Sequence, residues 1–239
     1  MAPTPRPLRR GLIVSCQAYP GEPFYGPQHV VEMARAAILG GAVGLRLNSP
    51  ADIAAVRAVT DLPVIGLYKV HAPGSEVYLT PDCAAAEAVA RAGCDVVAVD
   101  ATPRPRPGGT ALADLIAFIH TELGKPVMAD VSCLEDARLA ESLGADVLGT
   151  TLAGYTAHGR PKMDGPDLEF LGELVRTARA PVLAEGRYWE PADVARAFAL
   201  GAFAVVVGSA ITRPWEITRR FVQALPADIR PADRQPAGA

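Results

Sequence analysis

Short, continuous apolar runs punctuate this chain at regular intervals, each bounded by turn residues. They are "GLIVSC" (11–16), "AVGLRL" (42–47), "PVIGLY" (63–68), "DVVAVD" (95–100), "PVMADV" (126–131), "DVLGTT" (146–151), "PVLAEG" (181–186) and "FAVVVG" (203–208). Each run is rich in β-branched residues and does not alternate with polar ones. Parallel strands covered on both faces have this pattern. Helical spacing fills the intervals. In "HVVEMARAAILGG", Val30, Met33, Ala34, Ala37 and Ile38 recur at three and four before stopping at Gly40-Gly41. "DCAAAEAVARAGC", "LEDARLAESLGAD" and "PADVARAFALGAF" repeat the design, each with a glycine ahead of the next strand.

Eight strands alternating with helices, with no shift in composition, predict one α/β domain spanning 1–239, a single (β/α)8 TIM barrel. A doubly wound sheet is the alternative. It favours fewer strands and a dinucleotide glycine fingerprint, and none follows the first strand. The basic, proline-rich opening "MAPTPRPLRR" and the tail from Pro226 read as flexible ends, about 1–10 and 226–239.

Composition narrows the function. Half of the 239 residues are hydrophobic, so a large core is available, and the net charge of −3 leaves no basic footprint for nucleic acid. No apolar run reaches the roughly 18 residues of a membrane span. Cys16, Cys83, Cys94 and Cys133 show neither CxxC pairing nor metal spacing, which fits reduced thiols in a cytoplasmic protein. The four histidines form no ligand set, so no metal is expected.

In a barrel the chemistry sits at the C-terminal ends of the strands, and the polar residues concentrate there. They include Gln17, Arg46, Asn48, Lys69, Asp100, Asp130, Thr150, Thr151, Glu185 and Arg187. Arg46, Asp100 and Asp130 can be read as a buried ion-pair network, or as substrate contacts. Lys69 can be read as a snorkelling surface lysine, although its place after a buried strand favours a chemical role. Backbone amides after strands seven and eight, with a short helix following, make a standard barrel phosphate pocket. Gly186 and Gly208 would let backbone approach an anion, Ser209 would add a hydroxyl, and Arg187 or Arg213 would add charge.

The stretches "GLIVSCQAYPGEPFYGP", "GGAVGLRLNSPADI", "LPVIGLYKV", "SEVYLTP", "VDATPRPRP", "MADVS", "GTTLAGYT", "LAEGR" and "VVVGSAITRP" resemble the N-acylglucosamine-6-phosphate 2-epimerases, the N-acetylmannosamine-6-phosphate epimerases of sialic acid catabolism. The resemblance runs from about Gly11 to Leu225. It implies an isomerase that interconverts N-acetylmannosamine 6-phosphate and N-acetylglucosamine 6-phosphate, without a cofactor, and a homodimer. By motif it makes Lys69 and Glu185 the proton-transfer pair, makes Gln17, Arg46 and Asp130 substrate-positioning residues, and makes Arg213 a phosphate contact. Asp100 and Arg104 fall in the matching "DATPRPRP" stretch as further substrate-binding candidates. The departures are peripheral: Val70-His71 after the lysine and Tyr188-Trp189 after "AEGR".

The implied chemistry is self-consistent. The C2 proton lies α to the C1 aldehyde of the open-chain sugar, so its removal gives an enolate-like intermediate. Inversion needs one group on each face, and Lys69 and Glu185, on strands three and seven of eight, would oppose one another. A base lysine must be neutral, which burial or a neighbouring cation such as Arg46 favours. Arg46 and Gln17 are candidate donors to the developing oxyanion. Two other readings are a Schiff-base aldolase acting through Lys69 and a non-catalytic barrel that senses sugar phosphates.

Overall fold

The computed structural model describes residues 7–231 of the chain; the expected flexible ends lie partly outside these, at 1–6 and 232–239. Eight parallel strands close a barrel in sequence order: β1 (Gly11–Cys16), β2 (Gly44–Asn48), β3 (Val64–Leu67), β4 (Val96–Asp100), β5 (Val127–Asp130), β6 (Val147–Gly149), β7 (Val182–Glu185) and β8 (Ala204–Val207). β1 pairs with β8 to complete the ring, with Gly11 opposite Ala204 and Val14 opposite Val207. Every apolar run therefore forms a strand; β1 matches its run, β2 extends one residue past it, and the others are slightly shorter.

Continuity of the runs follows from having two apolar faces. Ile13, Ile65, Leu67, Val96, Ala98, Met128, Leu183 and Val206 pack together inside the barrel. Their neighbours Val14, Leu45, Leu47, Val64, Val97, Val99, Val127, Ala129, Ala184 and Val205 pack outward under the helices. Successive side chains alternate across a strand, so every second residue belongs to the barrel interior.

The helices are α1 (Pro27–Leu39), α2 (Pro50–Arg57), α3 (Cys83–Arg91), α4 (Leu112–Thr121), α5 (Leu134–Ser142), α6 (Leu168–Thr177), α7 (Pro191–Ala199), the one-turn α8 (Ser209–Thr212) and α9 (Pro214–Gln223). Their starts are written in the sequence. Pro27, Pro50, Pro191 and Pro214 occupy first-turn positions that need no N–H donor. Asp82 and Asp167 cap α3 and α6 by accepting from the amides of Ala85 and Phe170. α9 differs from the other long helices in burying none of its residues.

Inside the barrel the period of two also determines what reaches the C-terminal mouth. Continuing the inward set by two residues from Met128 and Leu183 gives Asp130 and Glu185. From Leu67 it gives Lys69. On β2, Arg46 lies between the outward Leu45 and Leu47, so it points in. The strands that build the core thus aim four charged side chains at one end.

Candidate active site

A cavity of about 440 Å³ opens at this end. Nine of the twelve expected site residues line it: Gln17, Arg46, Lys69, Glu185, Gly186, Arg187, Gly208, Ser209 and Arg213. β3 and β7 are four strands apart in a ring of eight, so Lys69 and Glu185 enter from opposite sides.

Arg46 forms the floor. Its guanidinium, 1% exposed, donates from both terminal nitrogens to Asp130 and also to Glu185 and the Thr151 hydroxyl. Burial would lower the pKa of this guanidinium, but the attraction of Asp130 and then Glu185 outweighs it and raises it. Glu185 is moved too. Burial pushes its carboxyl up to about 7, against the pull of Arg46 and with the charge of Asp130 adding to the rise. Thr151 donates to both carboxylates, and Thr150 accepts from the Glu185 amide at 2.9 Å. Thr150–Leu152 form a single 3-10 turn directly after β6, which delivers both hydroxyls. Gly149 leaves room for this cluster: a Cβ there would lie 2.4 Å from the Met128 Cε and 3.0 Å from Asp130 Oδ1.

Three expected substrate contacts do not reach the cavity. Asp130 is fully buried, and its oxygens accept from Arg46 and Thr151, so it holds Arg46 from beneath. Asp100 and Arg104 turn towards each other. Asp100 accepts from Arg104 at 2.7 Å and from the Thr102 amide and hydroxyl, while Arg106 donates to its carbonyl. The expected network of Arg46, Asp100 and Asp130 is therefore two assemblies, one at β2–β5–β7 and one at the end of β4.

Gln17 reaches the cavity. Its Nε2 donates one of its two N–H groups to Ser15 Oγ at 2.8 Å, and its carbonyl oxygen has no partner among the described residues. That oxygen and Arg46 Nε are buried without a partner among the described residues. Buried polar atoms left unpaired in this way are costly, and a polyhydroxylated ligand with both donors and acceptors would satisfy them.

On the far side, Gly186 adopts φ 109°, a conformation that disfavours any side chain, and Arg187 follows at φ 59°. Arg187 donates to the carbonyls of Gly165 and Ala153, each at 2.8 Å, and lies over the Tyr155 ring. Its donors thus serve the loop. Arg213 instead pairs with two side-chain carboxylates, Glu216 at 3.0 Å and Glu22 at 3.3 Å. Its guanidinium sits 4.9 Å from the ring centre of Tyr19.

The sequence reading missed Tyr19 as a site residue. Its hydroxyl lies 2.6 Å from Lys69 Nζ. It also missed a cluster beside the site, where the donor atoms of Cys133, Asp136 and His158 lie within 4.8 Å of one another. Spacing hid this set, because Cys133 and Asp136 belong to the start of α5 and His158 to the loop between β6 and α6. Asp136 already accepts from the Ser132 amide and hydroxyl and from His158, so hydrogen bonding between the start of α5 and the His158 loop accounts for the arrangement.

Comparison with known proteins places this geometry. The NanE family model, described as "Putative N-acetylmannosamine-6-phosphate epimerase", matches residues 30–227. The chain belongs to that family. It is 47% identical to a Caldanaerobacter subterraneus protein, across 90% of this chain and 91% of that one. It is 49% identical to one from Thermosynechococcus vestitus, across 92% and 96%. Both carry the name "Putative N-acetylmannosamine-6-phosphate 2-epimerase". Among solved structures, the N-acetylmannosamine-6-phosphate 2-epimerase of Clostridium perfringens superposes with a TM-score of 0.87 at 42% identity, covering 90% of this chain and 93% of that chain. The NanE match covers the lining residues named above from Arg46 onward, whereas Ser15, Gln17 and Tyr19 lie before its first matched position.

Proposed function

We propose that this protein is an isomerase that inverts C2 of N-acetylmannosamine 6-phosphate to give N-acetylglucosamine 6-phosphate, and the reverse. The observation that carries this reading is the entry of Lys69 and Glu185 into one cavity from opposite sides of the barrel. One group takes the C2 proton, and the C–H electron pair moves into a C1–C2 enolate. The other group then returns a proton to the opposite face. Neither a nicotinamide nor a metal is needed, since the proton is already acidified by the adjacent aldehyde. Arg46 is assigned to the oxyanion because it is a cation at the cavity floor whose Nε has a free donor position. Gln17, with its carbonyl oxygen available, suits a sugar hydroxyl or the acetamido N–H.

The phosphate is assigned to the backbone at Gly186, Gly208 and Ser209, with Arg213 supplying charge. Arg213 is preferred over Arg187 because its partners are carboxylate side chains that an arriving dianion can displace. Arg187 already places its Nε and Nη1 on main-chain carbonyls. We assign the protein to the cytoplasm. All four cysteines are free thiols, and among the described residues no helix is long and apolar enough to cross a membrane. A homodimer fits α9, which leaves Phe221 75% exposed.

The test is proton NMR of the purified protein with N-acetylmannosamine 6-phosphate in deuterium oxide. The gluco epimer should accumulate with deuterium at C2. Borohydride should trap no adduct on Lys69; a trapped imine would point to the aldolase reading, and absence of any reaction to the sensing barrel.

A further inference from the structure

Tyr19 lies two residues past the inward-facing Gln17, in the loop between β1 and α1. A tyrosine on an exposed loop ordinarily needs no explanation, but this one is held on several sides. Its amide donates to Glu22 Oε2 at 3.0 Å, and its carbonyl accepts from the Glu22 amide at 3.0 Å. Glu22 reaches on to Arg213 at 3.3 Å, and the Arg213 guanidinium lies 4.9 Å from the tyrosine ring centre. Lys69 Nζ lies 4.6 Å from the same ring centre and 2.6 Å from the hydroxyl. One ring therefore contacts both the cation assigned to the phosphate and the lysine assigned to the proton.

We infer that Tyr19 is a positioning residue for Lys69, a role that rests on the epimerase reading above. A lysine side chain has four rotatable bonds, and a single hydrogen bond at its tip removes much of that freedom. An N–H of the amine donates to the phenol oxygen. The nitrogen lone pair is then directed away from Tyr19, in a direction fixed by the loop. When the amine takes the C2 proton it becomes an ammonium, and its hydrogen bond to the phenol oxygen becomes charge-assisted and stronger. Because Glu22 holds the Tyr19 backbone and Arg213 lies against its ring, the seat of the lysine is linked to the phosphate end of the cavity.

Tyr19→Phe separates this role from a structural one. The ring and its contact with Arg213 remain, and only the hydroxyl goes. We expect kcat to fall about tenfold or more, as suits loss of a hydrogen bond to a charged group, while KM stays within about twofold. Tyr19→Leu should lower kcat similarly and also raise KM, because Arg213 loses the ring. The second readout is exchange of the C2 proton with deuterated solvent in a Lys69→Ala background, where only Glu185 can act. There, adding Tyr19→Phe should change nothing. An unaltered kcat in Tyr19→Phe overturns the inference, as does an equal loss of exchange in the absence of Lys69. Failure of the underlying reading is separate and visible in the same spectra: the wild-type protein would form no gluco epimer.

Discussion

Glu185 and Lys69 face the same cavity, but the barrel holds them very differently. Glu185 belongs to a strand, its amide is bonded to Thr150, and its carboxylate rests on Arg46 and Thr151. Lys69 lies just beyond β3. Its amide is fixed by the Asn48 side chain at 2.9 Å, but its Nζ bonds to a tyrosine in a loop. One partner is built into the core, and the other is seated by the rim. A group that is buried with charged neighbours gains a shifted pKa and a fixed position. A group seated by a loop can respond to what binds beside it. The two faces of one carbon would thus be served by a rigid acid–base group and an adjustable one.

The most severe way to break this pairing is to remove either member. Lys69→Ala and Glu185→Ala should each lower kcat by roughly 10² to 10⁴, measured by NMR. Each variant should retain, at most, solvent exchange of the C2 proton in one epimer, and the two should differ in which epimer. Near-wild-type turnover by Glu185→Ala would mean that Lys69 alone reaches both faces, and the comparison would collapse to a single base.

Removing the floor tests the rigid side. Arg46→Met leaves Asp130 and Glu185 buried without their cation, and breaking a buried pair in this way costs about 3–5 kcal/mol. The denaturation midpoint should fall accordingly. A midpoint unchanged from wild type would show that the two carboxylates simply take up protons and that Arg46 is not needed to keep the barrel end together.

These two tests address residues that the sequence revealed to different degrees. The strands were legible because a doubly covered strand must be apolar on both faces, and the polar residues that end those runs therefore stood out. Arg46, Lys69 and Glu185 reached the cavity because strand alternation determines their direction. Residues past the strand ends were less legible, since a loop can turn a side chain either way. Asp100 and Arg104 close on each other, Arg187 turns to the carbonyls of its own loops, and Tyr19 reaches in from a stretch with no periodicity.

The phosphate end sharpens the adjustable side. Arg213→Ala should raise KM by about ten- to a hundredfold with a smaller effect on kcat, since it removes a charged contact remote from C2. N-acetylmannosamine without the phosphate should show a comparable loss. Equal rates on the free and phosphorylated sugars would remove the assignment of Gly186, Gly208, Ser209 and Arg213.

The raised carboxyl gives the rigid side its own signature in pH. In a two-group mechanism the free enzyme works with one proton shared between the pair. As pH falls through about 7, Glu185 gains a proton, and once both groups are protonated no base remains. Activity should therefore be present above about 7, with kcat/KM falling about tenfold per unit below it. Because epimerisation consumes no net proton, the two directions should fall in parallel. An acid limb near the ordinary carboxylate range would mean that the substrate-free Glu185 is better solvated, or more firmly held by Arg46, than its burial implies.

The smallest expected effect is none at all, on treatment with EDTA. A divalent cation can stabilise an enolate by binding its oxygen, and in that case the charge of Arg46 would be redundant. Arg46 instead lies at the cavity floor as a cation that burial cannot neutralise, with a free Nε donor. Activity and melting temperature should both survive exhaustive chelation. Loss of activity restored by a divalent ion would transfer oxyanion stabilisation from Arg46 to a metal, and the rigid half of the comparison would need rebuilding around it. A drop in melting temperature alone would point elsewhere, to Cys133, Asp136 and His158, whose donor atoms lie within 4.8 Å. That outcome can be separated from the first by His158→Ala, which should abolish the thermal effect and leave turnover intact.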